Sequence, residues 1–163
     1  MRLARLGLVW LGGTAACGGS SFHIAKTAYA ATTSAALYTQ DAHSGVDVTL
    51  KSDPNAHTPD DEVAVRVTLL WPANAPPPVG RDIALAAPYQ ALVALACTCS
   101  GVVEPMLPPA VTGKFHLESL SAAKVVGSFQ LTFSGALPLV AGGVAYENTT
   151  LQATAGEFTA TSN

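Results

Sequence analysis

The chain has 163 residues, 49% of them hydrophobic and only 12% charged, with eleven acidic against eight basic side chains. That length suits one domain large enough to bury a core without disulfide staples. The mildly acidic balance, with no basic stripe to track phosphates, argues against nucleic acid as a partner.

The N-terminus reads as an address. Arg2 and Arg5 precede a short apolar run, Leu6 to Leu11, and Gly12 to Cys17 are small residues ending on a cysteine. A basic start, a brief apolar stretch and small residues at the cut describe a secretory signal peptide over residues 1–16. Thr14-Ala15-Ala16-Cys17, followed by Gly18-Gly19-Ser20-Ser21, resembles the processing site of a bacterial lipoprotein. The resemblance implies that Cys17 becomes the lipid-bearing first residue, with Ala15 and Ala16 before the cut, and that the partner there is a membrane. Several acyl chains, at about 0.8 kcal/mol per buried methylene, make such an anchor stable. Residues 17–30 then read as a Gly/Ser-led flexible tether. The alternative cut is the Ala-x-Ala site Ala28-Tyr29-Ala30, which would release a soluble secreted chain starting at Ala31. Removing Arg2 and Arg5 leaves six basic against eleven acidic residues, a formal charge of −5.

Residues 31–163 form the domain, and their apolar positions recur at period two. Val46, Val48 and Leu50 alternate with Asp47, Thr49 and Lys51; Val63, Val65, Val67 and Leu69 share a face; Ile83 and Leu85 continue the pattern. The alanine-rich stretch 84–97 leans toward strand, with Tyr89 to Ala96 as a rival helical turn. Gly113-Lys114-Phe115, Gly127-Ser128-Phe129 and Gly156-Glu157-Phe158 repeat one strand motif, as in an antiparallel meander. Pro-rich segments at 52–55, 71–78 and 104–109 punctuate these runs. The expectation is an all-β fold, an antiparallel β-sandwich or partly closed barrel of about seven to nine strands.

Chemistry is sparse. For Cys97 and Cys99 three roles are open: a tight disulfide, a soft-metal site such as Cu(I) with Met106 and His116 as helpers, or inert thiols. His43, His57 and His116 fall in turn, loop and polar strand face, where single histidines are ordinarily solvated. The acidic loop 53–62 lacks the spacing of a calcium loop. Signatures of serine, zinc and phosphate-binding enzymes are missing from the chain. Trp71 reads as core packing, or as a stacking platform if Tyr38 or Tyr89 stands beside it. The expectation is an exported, lipid-anchored, non-catalytic domain that takes no cofactor. It would bind a protein or carbohydrate partner at the bacterial envelope through loops 52–61 and 72–81. A copper-binding periplasmic protein built on Cys97 and Cys99, and a hydrolase of unrecognised type, are the rivals.

Overall fold

The computed structural model describes residues 19–40, 42–52, 63–97, 107–108, 110–135, 139–141, 144–146 and 149–162. Cys17, His57, Cys99, Met106 and the acidic loop 53–62 lie outside the described residues. The described residues form eleven strands: β1 (Ser20–Ile24), β2 (Thr27–Gln40), β3 (His43–Ser52), β4 (Val63–Pro72), β5 (Asp82–Ala84), β6 (Gln90–Cys97), β7 (Ala110–Leu120), β8 (Lys124–Ser134), β9 (Leu139–Ala141), β10 (Val144–Tyr146) and β11 (Leu151–Thr161). No helix occurs among the described residues. Nine strands form one sheet in the order β5-β7-β8-β11-β1-β2-β3-β4-β6, and β9 and β10 make a separate hairpin.

The period-two pattern explains the single core. On β3 and β4, Val46, Val48, Leu50, Val65, Val67 and Leu69 are buried, and their alternates face outward. The Gly-x-Phe motifs fall on the neighbouring strands β7, β8 and β11, as a meander requires. Phe115 sits opposite Phe129 in register, and the Phe129 and Phe158 rings are 6.2 Å apart. Two of the motif glycines, Gly113 and Gly127, answer a close approach of backbones. A Cβ on Gly127 would come within 2.4 Å of the His116 carbonyl oxygen.

The sheet has to curl. Strands β5 and β6 are its opposite edges, yet only residues 85–89 join them. A flat sheet would hold edges eight strand spacings apart at ~38 Å, whereas that link reaches at most ~22 Å. Leu85 and Tyr89 mark the seam: the Leu85 N–H donates to the Gly113 carbonyl at 3.0 Å, and the Tyr89 ring meets Phe115 edge-on at 5.7 Å. The result is a curled half-barrel whose inner face is the core.

One expectation is corrected. Residues 20–30, read from composition as tether, form β1 and open β2. Phe22 and Ile24 alternate with Ser21 and His23, and both are fully buried. The strand is wedged between β11 and β2, pairing with each antiparallel. At the wedge tip the Ser20 hydroxyl bonds Thr33 and accepts the Gly156 N–H at 3.4 Å. Farther along, β2 and β11 meet directly at Ala36 and Thr161.

Register also defines two rims. The β2–β3 turn, the 73–81 loop and the β7–β8 turn share the upper rim. The β1–β2 turn, Ser52 and Cys97 lie toward the lower rim, where the buried Ser52 hydroxyl accepts the Val63 N–H at 2.9 Å.

Candidate functional site

The upper rim encloses a cleft of about 320 Å³. Leu37, Tyr38, Thr39, Ser44 and Gly45 from the β2–β3 hairpin form one wall, and Trp71 with Ala73 and Pro76 form another. Leu120, Ser121, Ala122 and Val125 at the β7–β8 turn close the third.

Local chemistry holds each wall in place. Gly45 lets β3 and β4 approach: a Cβ there would stand 2.0 Å from the Leu69 carbonyl oxygen. Trp71 lies opposite Ser44 in register and is only 3% exposed, so most of its ring is in the core. The loop after it is pinned by the Ala73 N–H to the Ala42 carbonyl (2.9 Å) and the Gly80 N–H to the Leu117 carbonyl (2.8 Å). Gly80 takes a left-handed φ of 80°, which a side chain would resist. In the β7–β8 turn the Ser121 hydroxyl accepts from the Lys124 N–H at 3.0 Å and the Ala123 N–H at 3.3 Å.

Among the described residues that line the cleft none carries a carboxylate, ammonium or imidazole. Its walls are aliphatic and aromatic, Thr39, Ser44 and Ser121 add hydroxyl-bearing side chains, and the Tyr38 hydroxyl is bonded to Gln40. A cleft whose walls mix apolar side chains with hydroxyls suits a small uncharged ligand. Of the two tyrosines proposed as partners for Trp71, Tyr38 lines the same cleft and Tyr89 packs at the seam. Of the two contact loops, 72–81 contributes Ala73 and Pro76, and 52–61 is described only at Ser52.

The remaining site residues are scattered. Cys97 closes β6 opposite Val63, and its proposed partners Cys99 and Met106 lie outside the described residues. Among the described residues no group of three His, Cys, Asp or Glu side chains stands together to hold a metal. His43 begins β3 and is exposed. His116 lies on the outer face of β7, with Nδ1 3.1 Å from Asp82 Oδ1 on edge strand β5, and Lys114 bonds the other Asp82 oxygen. These two contacts, Lys114 first, hold the Asp82 carboxyl below the usual carboxylate range. Ser128 is the register partner of His116 on β8, so an aspartate, a histidine and a serine run across three strands. No hydrogen bond joins His116 to Ser128 among the described residues; the contacts of Asp82 with Lys114 and His116 clamp edge strand β5 to β7.

No protein-family model, curated protein or solved structure matches this chain. Its function therefore rests on its own geometry. Sequence reasoning passed over His23 and Ser21, because residues 17–30 were read as tether. The alternation Ser21-Phe22-His23-Ile24 was the signal that would have found them.

Proposed function

We propose that the protein is an exported lipoprotein, anchored through Cys17, whose half-barrel holds a small uncharged ligand or partner group in the upper-rim cleft without catalysing a reaction. The observation that carries this reading is the cleft itself: Trp71 with the aliphatic Leu37, Leu120 and Val125, a hydroxyl fringe, and no charged group among the described lining residues. The packing of β1 supports a cut upstream of Ser20. Cleavage after Ala30 would discard Phe22 and Ile24 from the core.

Trp71 offers the test, because only Trp10 accompanies it in the chain and the signal segment would remove Trp10. The mature protein is titrated with N-phenyl-1-naphthylamine, an uncharged apolar fluorophore, while Trp71 emission is followed. Saturable energy transfer from Trp71, abolished by Ala122→Phe at the cleft mouth without loss of thermal stability, is expected. Transfer that never saturates, or that survives Ala122→Phe, would refute cleft binding. Intact mass of the protein from its native membrane tests the anchor. A chain starting at Cys17 with acyl mass supports it; one starting at Ala31 removes it.

A further inference from the structure

We infer a second binding site on the outer face of the half-barrel, a groove of about 590 Å³ across β7, β8, β11 and β1, suited to a neutral glycan strand. Register places its side chains in two parallel rows. Thr112, Thr132, Gln152 and His23 pair successively across the four strands, and Lys114, Gln130, Thr154 and Ser21 form the second row. Neighbours within a row are about 4.8 Å apart and the rows about 7 Å apart. An extended chain lying along the rows would meet a hydrogen-bonding side chain at each strand it crosses.

The chemistry of the lining narrows the occupant. Two carboxamides, several hydroxyls and one imidazole face the groove, and each class can both donate and accept hydrogen bonds. Among the described lining residues there is no carboxylate, and the one ammonium, on Lys114, is already bonded to Asp82. An anion would find no free lysine, and a cation no carboxylate. An apolar partner would find Leu131 alone, which is buried in the core on the other face. A neutral, hydroxyl-rich chain meets the lining on equal terms.

These groups are also available. Among the described residues, Ser21, His23, Gln130, Thr132, Gln152 and Thr154 make no side-chain hydrogen bond to one another or to any neighbour. The same outer face of β3 and β4 behaves differently: Asp47 there bonds both Arg66 and Thr68 and leaves little to offer a ligand. The groove is rigidly backed, because Phe22, Leu131, Phe133, Leu151 and Ala153 on the same strands are buried on the inner face. Gly113 leaves room at one side, where its φ of 121° and a Cβ position 2.2 Å from the Gln130 carbonyl oxygen leave glycine as the residue that fits.

The test is a titration of the mature, isotope-labelled protein with maltohexaose, cellohexaose and chitohexaose, followed by amide shifts in NMR. Saturable shifts from at least one probe are expected at the side-chain amides of Gln130 and Gln152 and the backbone around Thr132 and Thr154. Gln130→Ala with Gln152→Ala removes two hydrogen-bonding side chains at exposed positions and should weaken binding about tenfold. Thermal stability and the N-phenyl-1-naphthylamine response of the cleft should stay unchanged in that variant, which separates this site from the upper-rim cleft. The inference is overturned by silence of these resonances to all three probes, or by wild-type affinity in the double variant. A stronger response to an anionic oligogalacturonate than to the neutral probes overturns it too.

Discussion

Asp82 shows how a single residue ties the edge of the sheet. It stands on the three-residue strand β5 and receives both the Lys114 ammonium and the His116 imidazole from β7. Its carboxyl lies below the ordinary range because the folded state favours the charged form, with the Lys114 hydrogen bond as the larger cause. A depressed carboxyl adds stability above its unfolded pKa, near 3.9, and that contribution fades as pH falls through the lower folded value. The site is open to solvent, so the effect is a local one on β5. We expect Lys114→Met to raise the Asp82 carboxyl toward the ordinary range, and His116→Gln to raise it less. A carbon-detected NMR pH titration of Asp82 reads both; a larger rise in His116→Gln would reverse the order of causes. The residue scale is also where sequence reading was weakest. His116 was visible as an outward residue of a polar strand, but nothing in the spacing of Asp82 and His116 announces that β5 and β7 are neighbours.

At the scale of elements, the strands with clean alternation were legible and β1 was not. Val63 to Leu69 and the Gly-x-Phe repeats each show enough periods to identify a strand and its buried face. Strand β1 offers only Phe22 and Ile24 after a Gly/Ser run, and its partners β11 and β2 include the last strand of the chain. Local pattern carries no information on such a long-range pairing. The consequence is large. Burying Phe22 and Ile24 contributes about 1.5–3 kcal/mol each, a sizeable share of a domain's typical net stability of about 5–15 kcal/mol. Deleting β1 also bares the backbone edges of β2 and β11, a template for aggregation. A chain starting at Ala31 should therefore fail to give a cooperative urea transition, whereas one starting at Gly18 should unfold in a single step. The milder Phe22→Ala should lose about 3–5 kcal/mol. Equal stability of the Gly18 and Ala31 chains would show that β1 is dispensable.

At the scale of the whole molecule, alternation identifies an all-β chain but not which strands become edges. The edge assignment follows from order in the sheet, and the curl follows from the short 85–89 link between those edges. The upper-rim cleft inherits that dependence, since its walls come from segments near residues 37–45, 71–76 and 120–125 that only the curled sheet gathers. Trp71 was legible as a core residue, and its place in a cleft with the β7–β8 turn was not. The seam between β5 and β6 closes through side chains: the partly buried Tyr89 packs on Phe115, with Leu85 beneath. An edge-on aromatic pair contributes about 0.5–1.5 kcal/mol beyond its buried area. Tyr89→Ala should therefore loosen the seam before the rest of the sheet. Amide hydrogen exchange should rise on β5 and β6, while the central strands β8 and β11 keep their protection. Uniform acceleration over all nine strands would mean instead that the curl has no separable seam and that the half-barrel opens only by unfolding as one unit.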